Sequence, residues 1–390
     1  MKGDFSRFTF RSRRRYVGVL LQQGRVSLDA DWNEQVEIER YQRRQALRDL
    51  VGRCGGPRDG AGFEIVVDKG GRGLTIGAGR YYADGLLTEN FEPCAFTTQP
   101  FLPRAAAALA DATAKPGRYR AYLDVWERHI TAVEDPSLAE PALAGPDTTT
   151  RLQLVWQVRL GRPKLALDES AERPTFDIRT ATGGYTGLEN QLYLVEIHAV
   201  GEAAAGATFK WSRENGSVVV RLTAIADRRL TIEPDERLRP GDWLEVLDDA
   251  LELDGRPGSL AQVREVEPGS GEVLLADSVE RLADHDAGVD QTRHPKVRRW
   301  DGVGAVGETW QHLESGIEVS FGGESGAYRP GDYWTFAARP TIGAVIWPDG
   351  AQPALRTEHA RCPLALLEVD RRGRWLALED RRRLFVRSRA

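Results

Sequence analysis

The fold class is decided by the stretch YRAYLDVWERHI, from Tyr119 to Ile130. Apolar residues recur at every second place from Tyr119 to Val125, and β-branched and aromatic types are frequent, which is typical of a strand with a buried face. Four further stretches of this kind also predict strands: Phe63–Val67, Leu152–Leu160, Leu192–Val200 and Ser217–Leu222. The long middle of the chain is therefore expected to be β structure.

Two later pairs of short runs predict hairpins. Gln262–Val266 and Glu272–Leu275 flank the turn sequence PGSG, and Leu364–Val369 and Trp375–Leu378 flank a turn with RRG. Turn signals of this kind follow one another at the spacing expected of sandwiches and small barrels. The predicted fold class is mainly β, with several small sandwich or barrel-like modules and one long N-terminal helix.

That helix is predicted from about Leu28 to Arg53. Ser27 is expected to cap it, and the pair Gly55 and Gly56 to end it. Its apolar stripe, which begins at Trp32, is narrow and broken, which is typical of a helix that lies on a neighbour rather than in a core.

Length and composition indicate a folded protein of several modules. The chain has 390 residues, 41% of them hydrophobic and 28% charged, which excludes collagen-like, coiled-coil and mainly disordered classes. We expect a basic arm and amphipathic helix in residues 1–60 and a β domain in 61–200. A small β-barrel-like module in 201–285 and a β module with an Arg-rich C-terminal tail in 286–390 complete the predicted division.

Cysteine content and hydropathy bear on the compartment. Cys54, Cys94 and Cys362 are an odd number at wide spacing, so we expect no disulfide framework and no zinc site, and a reducing compartment. No run of about 18 apolar residues occurs, so we expect no membrane insertion and a cytoplasmic location.

Charge is divided unevenly along the chain. The formal net charge is −5, which argues against a nucleic-acid partner. Residues 1–25 carry +6 and residues 371–390 carry +6, which leaves −17 for residues 26–370. Basic ends could bind phosphate, or they could dock on the acidic body of the next subunit.

Two Glu-x-His patterns are candidate metal ligands. Glu127 and His129 share one face of a predicted strand, as do Glu196 and His198. If the two strands were neighbours in register, four oxygen and nitrogen ligands would converge on a transition metal. The simpler interpretation, which we favour, is that each pair makes cross-strand hydrogen bonds.

Catalytic motifs are weak in this sequence. It has no nucleophile turn between strand and helix, no P-loop and no dinucleotide fingerprint. We therefore expect no enzymatic activity and no cofactor. Four tryptophans lie inside predicted strands and are expected to be core or interface anchors rather than a sugar-stacking platform: Trp126, Trp156, Trp243 and Trp334.

Several segments together carry a resemblance to a known family. They are MKGDF at 1–5, QQGRV at 22–26, LDADWNEQ at 28–35, GRYYADG at 79–85, YLDVWERH at 122–129, FKWSRENG at 209–216 and GDYW at 331–334. With them the chain resembles a bacterial family of tail-associated proteins that are similar to components of phage-tail-like contractile injection systems. The likeness covers nearly the whole chain.

The resemblance implies a structural subunit, such as a baseplate, cage or accessory shell component, in a particle that is released or docked at a membrane. Expected partners are further copies of the chain and other tail, baseplate or sheath proteins. The alternatives are an envelope- or glycan-binding module and, less favoured, a polysaccharide-acting enzyme. The residues we expect at assembly interfaces are Phe5, Phe8, Arg13, Arg14, Arg15, Trp32, Arg381, Arg382 and Arg383.

Overall fold

The computed structural model describes residues 2–143, 147–164, 166–167, 172–200, 206–267, 269–279, 289–323 and 328–385. Strands predominate in this part of the chain, so the predicted mainly β class is confirmed. The α-helices are α1 (Asp29–Val51), α2 (Ala105–Thr113) and α3 (Asp249–Leu253), and short 3-10 helices lie at Ser12–Arg14, Phe96–Thr98, Pro136–Leu138, Pro141–Leu143, Gln291–Arg293 and Pro340–Ile342.

The strands in chain order are β1 (Cys54–Pro57), β2 (Ile65–Val67), β3 (Leu74–Ile76), β4 (Gly79–Ala83), β5 (Leu86–Asn90), β6 (Cys94–Ala95), β7 (Gly117–Ile130), β8 (Arg151–Gly161), β9 (Thr175–Thr180), β10 (Gln191–Ala199), β11 (Thr208–Ser212), β12 (Val219–Ala226) and β13 (Arg229–Ile232). They continue with β14 (Trp243–Leu247), β15 (Ser259–Glu267), β16 (Glu272–Leu275), β17 (Lys296–Trp300), β18 (Gly302–Ala305), β19 (Gln311–His312), β20 (Ile317–Gly322), β21 (Tyr333–Arg339), β22 (Ala344–Ile346), β23 (Gln352–Pro353), β24 (Ala360–Val369), β25 (Trp375–Asp380) and β26 (Leu384–Phe385).

The strands form three modules, each around a hydrophobic core. The outer module contains the sheets β26-β1-β4-β5, β25-β24-β7-β8 and β2-β3-β6. The middle module contains β18-β11-β10-β21-β22 and β19-β20-β9-β23. The barrel is closed, in the order β12-β13-β16-β15-β14-β17. Closure leaves the barrel without a free edge.

The modules are nested along the chain. The barrel strands lie between two parts of the middle module, which in turn lies between two parts of the outer module. The predicted boundary at 200/201 falls between β10 and β11, which pair with each other, and the boundary at 285/286 lies outside the described residues. The four contiguous segments predicted from the sequence therefore do not coincide with the three cores.

The long strand β7 shows why the local pattern predicted its element correctly. Ala121, Leu123 and Val125 alternate along it and are fully buried, and β7 pairs with β8 on one side and β24 on the other. The other predicted strands and both hairpins are present as well.

Helix α1 matches its predicted span but not its predicted ends. Leu28 is the N-cap, without a side-chain cap, so the capping role expected of Ser27 is wrong. The helix stops at Gly52 (φ 84°), before Gly55 and Gly56, because a glycine adopts a positive φ without a steric penalty.

The turn between β4 and β5 fixes α1 on the outer module. Asp84 and Gly85 both have positive φ, as a tight hairpin turn requires. A Cβ on Gly85 would collide with the carbonyl oxygen of Arg44, so only glycine allows the helix to come this close. Arg44 in turn donates to the carbonyl oxygen of Asp84 (3.0 Å) and to its carboxylate (2.6 Å).

The cysteines correct a prediction from the sequence. Cys54 on β1 and Cys362 on β24 form a disulfide with their Cα atoms 5.7 Å apart, whereas Cys94 is free. Because 308 residues separate the two cysteines, no local sequence pattern indicates that they pair. The disulfide joins the two chain segments that complete the outer module on either side of the nested modules.

We expect the double variant Cys54→Ser with Cys362→Ser to lose about 2–4 kcal/mol of unfolding free energy without reductant, because the cross-link restricts the unfolded chain. Urea titration measures the loss. The matched control is Cys94→Ser, which removes a free thiol and should change little. An unchanged unfolding midpoint in both the double variant and reduced wild type would contradict the prediction.

Candidate assembly surface and buried charge clusters

The first described residues lie on the body of their own chain. The amide of Gly3 donates to the carbonyl of Asn215 (3.2 Å), and the side-chain amide of Asn215 donates back to the Gly3 carbonyl (2.9 Å). The ammonium group of Lys2 lies 2.7 Å from the carboxylate of Glu196 in the middle module. Further contacts hold the chain as far as Phe10, whose ring packs against Tyr41 (5.7 Å).

The following segment, residues 11–28, is termed the exposed arm. Five of its large apolar side chains are more than half exposed: Tyr16, Val17, Leu20, Leu21 and Val26. It also carries five arginines and no acidic residue: Arg11, Arg13, Arg14, Arg15 and Arg25. A contact that holds the arm near α1 is the bond from the Val19 amide to the side-chain oxygen of Gln35 (2.7 Å).

Helix α1 adds to the same surface. Only Ala30 and Ile38 are buried among its residues, which agrees with the narrow stripe in the sequence. Trp32 is 74% exposed and Leu50 is 83% exposed. Together with the exposed apolar side chains of the arm, these residues make the surface a candidate interaction site.

The predicted interface residues near the N-terminus fall into two groups. Phe5 and Phe8 are half-buried and in ring contact with each other (5.6 Å), and Phe5 also packs against the ring of His129 (6.1 Å). The two phenylalanines therefore belong to the segment before the arm, which packs on its own chain. In contrast, Arg13, Arg14, Arg15 and Trp32 are exposed and available to a neighbour.

The predicted C-terminal interface residues contact their own outer module. The guanidinium group of Arg382 is bound to Asp380 (2.7 Å) and donates to the carbonyl of Gly62 (3.2 Å). Arg381 pairs with Glu379 (2.9 Å), although it and Arg383 remain exposed. β26 pairs in parallel with β1, so the end of the described chain is part of the sheet.

The four candidate metal ligands are not brought together. β7 and β10 lie in different sheets, so Glu127 and Glu196 are not cross-strand neighbours. Glu127 pairs with Arg40 from α1, while Glu196 is bound by lysines. His129 and His198 each keep a buried ring nitrogen without a hydrogen-bond partner in the described part of the chain.

The sequence did not indicate an acidic cluster that the fold assembles beside β7. Ligand atoms of Glu134, Asp249 and Glu252 lie within 4.8 Å of one another, the one such group among the described residues. The buried ammonium group of Lys296 contacts Glu134, lies 2.9 Å from Glu252 and 4.0 Å from Asp249. Arg128 also pairs with Glu252 (2.7 Å) and with Asp249. Basic side chains thus already occupy the position that a cation would take.

The ionisation of Glu134 reflects this pairing. Burial by itself would raise the pKa of the Glu134 carboxyl, but the charge of Lys296 together with the hydrogen bonds from Lys296 and Thr131 outweighs it, and the pKa lies at about 2. The Thr131 amide (2.8 Å) and hydroxyl (2.6 Å) donate to the same carboxylate. The Glu134 carboxylate is therefore ionised at neutral pH, and its contact with Lys296 links the outer module to β17 of the barrel.

A second buried cluster lies between the middle module and the barrel. The Lys210 ammonium is 3.1 Å from Glu196 on β10 and 2.5 Å from Glu245 on β14. It also lies over the ring of Trp300, 4.5 Å from the centroid, and the indole N–H of Trp300 donates to Glu245 (3.0 Å). Lys2 completes this cluster from the N-terminal side.

Both clusters join modules through buried ion pairs. Breaking such a pair leaves an uncompensated charge in a poorly hydrated place, which is strongly destabilising. The clusters therefore fix how the modules and the first residues sit together. The sequence of β17 contains one indication of these clusters, because Lys296, Arg298 and Trp300 alternate on one face of the strand. In the sequence alone, however, that pattern is equally typical of a face exposed to solvent.

Other sequence expectations have clear outcomes. Trp126, Trp156 and Trp334 are buried, as predicted for core anchors, and Trp243 is half-buried.

In the part of the chain that the structure describes, no helix combines the length and the apolar character needed to span a membrane.

Three nested β modules with a surface helix and an exposed apolar arm define a β-rich protein of several modules. The chain belongs to the family of unknown function DUF6519, whose profile matches residues 1–173 and 162–368. No curated protein and no solved structure matches it.

Proposed function

We propose that the chain is a non-enzymatic structural subunit that assembles with its neighbours through the exposed arm and α1. The observation that carries the proposal is the arm itself, whose apolar side chains extend into solvent from a body that anchors them at both ends. Exposed apolar groups of this density favour burial against another protein.

Charge indicates what the neighbour is. The arm is purely basic, while residues 26–370 carry a net charge of −17. A second copy of the chain therefore offers an acidic surface to each arm, and the arm and the body are different surfaces. Contact between them is head-to-tail, which closes into a ring or extends as a filament.

The resemblance seen in the sequence suggests the larger assembly to which the chain belongs. It points to a phage-tail-like contractile injection system, with the chain as a baseplate, cage or accessory shell component. A repeated subunit there must hold its neighbours at a fixed angle, and the buried ion-pair clusters between its modules would provide that rigidity.

We expect the variant Leu20→Ser with Leu21→Ser to weaken self-association at least tenfold, because burying each leucine contributes about 1.5–3 kcal/mol. Sedimentation velocity of the full chain over a concentration series measures it. The matched control is Leu188→Ser, at a side chain that is 94% exposed but lies outside the arm. Association should also weaken as salt rises, since charge attracts the arm.

Electron microscopy tests whether the chain is a component of such a particle. Particles isolated from cells with a deleted gene should lack a defined density or fail to assemble. Complete particles from such cells, together with a chain that does not bind purified sheath or baseplate proteins, would contradict the proposed function.

A further inference from the structure

One part of the exposed arm has no strand partner among the described residues of its own chain, although its Val19 amide donates to the side-chain oxygen of Gln35. Residues 16–21, with the sequence YVGVLL, make no backbone–backbone hydrogen bond to any residue that the structure describes. The segment is rich in β-branched and aromatic residues and is followed by two glutamines. Such a segment is suited to adding as a strand to the edge of a sheet.

β5 is an open edge that suits this segment. It pairs with β4 and has no strand on its other side within the described chain. Leu87 is 42% exposed and Phe91 is 85% exposed. They lie on the same outward face as Glu89, whereas Thr88 and Asn90 point inwards and are buried.

Charge distinguishes β5 from β8 and β25, the two open edges of the large sheet in the same module. Glu89 and the exposed Glu92 have no ion pair with another described residue and would face the Arg13–Arg15 run that precedes the apolar segment. The edge strand β8 carries arginines instead, at Arg151 and Arg159. The acidic residues of β25 are already paired with Arg381 and Arg382.

We propose that residues 16–21 of one copy add as an extra strand to β5 of a second copy. The inference rests on the proposed function, since it names the partner surface of the same arm. Main-chain hydrogen bonds would supply the pairing, Leu87 and Phe91 would cover the apolar side chains, and the arginines of the arm would meet Glu89 and Glu92.

A charge exchange between full-length variants tests the contact. Variant one is Arg13→Glu with Arg14→Glu and Arg15→Glu, and variant two is Glu89→Lys with Glu92→Lys. Each should associate with itself at least tenfold more weakly than the wild type, because both of its contact surfaces then carry the same sign. An equimolar mixture should associate again, because each arm then meets an edge of opposite charge.

A matched control keeps the charge change but moves it to the barrel. Glu265→Lys with Glu267→Lys reverses two exposed charges on β15 and should leave association unchanged. Hydrogen exchange provides an independent measure, because strand addition should slow the exchange of amides in residues 16–21 and 86–90 on assembly.

The outcomes separate this inference from the proposed function. Strand addition to β5 is wrong if the wild type associates and any of three results is found. Variant two associates as strongly as the wild type, the mixture associates no more strongly than either variant alone, or residues 86–90 exchange at an unchanged rate. Assembly through the arm would still stand in each of these cases. A wild-type chain that stays monomeric up to about 100 µM overturns strand addition as well, and the particle experiment then decides the proposed function alone.

Discussion

Replacing Lys296 with methionine is expected to lower the free energy of unfolding by about 3–5 kcal/mol, the effect of removing one partner from a buried ion pair. Lys296 is fully buried, and its ammonium group is shared by Glu134 and Glu252. Methionine fills a similar volume but carries no charge. Glu134 would then keep only the hydrogen bonds from Thr131.

Two further variants make this expectation specific to the buried charge. Lys296→Met with Glu134→Gln should recover part of the loss, because the orphaned carboxylate is gone. Arg228→Met, which removes an exposed arginine 3.9 Å from Asp227, should change stability by about 1 kcal/mol or less. Urea titration followed by tryptophan fluorescence measures all three.

The same titration reports on how the modules are coupled. The cluster joins the outer module to the barrel, so the Lys296→Met barrel should unfold before the rest and give two transitions where the wild type gives one. A loss below about 1 kcal/mol with a single unchanged transition would show that the cluster does not hold the modules together.

Local pattern sufficed where an element depends on its own residues. Ala121, Leu123 and Val125 alternate in sequence and are buried in the structure, and the turn sequences between β15 and β16 and between β24 and β25 placed both hairpins correctly. The predicted span of α1, from about Leu28 to Arg53, agrees with the observed helix from Asp29 to Val51. Its end signals were wrong, since Gly52 ends the helix before the glycine pair that was predicted to end it.

The pairing of strands and cysteines that are distant in the chain could not be predicted from the sequence. The nesting of three modules depends on β24 returning to β7, and the disulfide between Cys54 and Cys362 depends on the same return. Contiguous segments were the natural expectation, because nothing in a single sequence marks which distant strands will pair. The Glu-x-His hypothesis failed for the same reason, as it required β7 and β10 to be neighbours.

The candidate assembly surface was predicted in part. The basic, apolar character of the arm is visible in the sequence, and Trp32 is exposed as expected of an interface residue. The sequence could not show that Phe5, Phe8 and Arg382 would be used within their own chain, because that depends on the surfaces against which they fold.

Two half-buried histidines should make the protein markedly less stable in acid. Burial, reinforced by nearby positive charge, lowers the pKa of His129 to about 3 and that of His198 to about 4, from 6.5. Arg298 is one of the charges that act on His129, and Lys210 acts on His198. As the pH falls below 6.5, the unfolded chain therefore binds protons at both rings that the folded chain does not, which favours unfolding.

Each histidine should remove about 1.4 kcal/mol per pH unit below 6.5 until its folded pKa is reached, so the pair removes about 5 kcal/mol between pH 7.5 and 4.5. Urea titration at several pH values measures this slope. His129→Gln with His198→Gln should flatten it, whereas the control His312→Gln, at an exposed ring, should not. NMR titration of the wild-type rings gives a direct check, since both must stay neutral at pH 5. A charged ring at that pH, or a slope that the double variant does not reduce, would contradict the expectation.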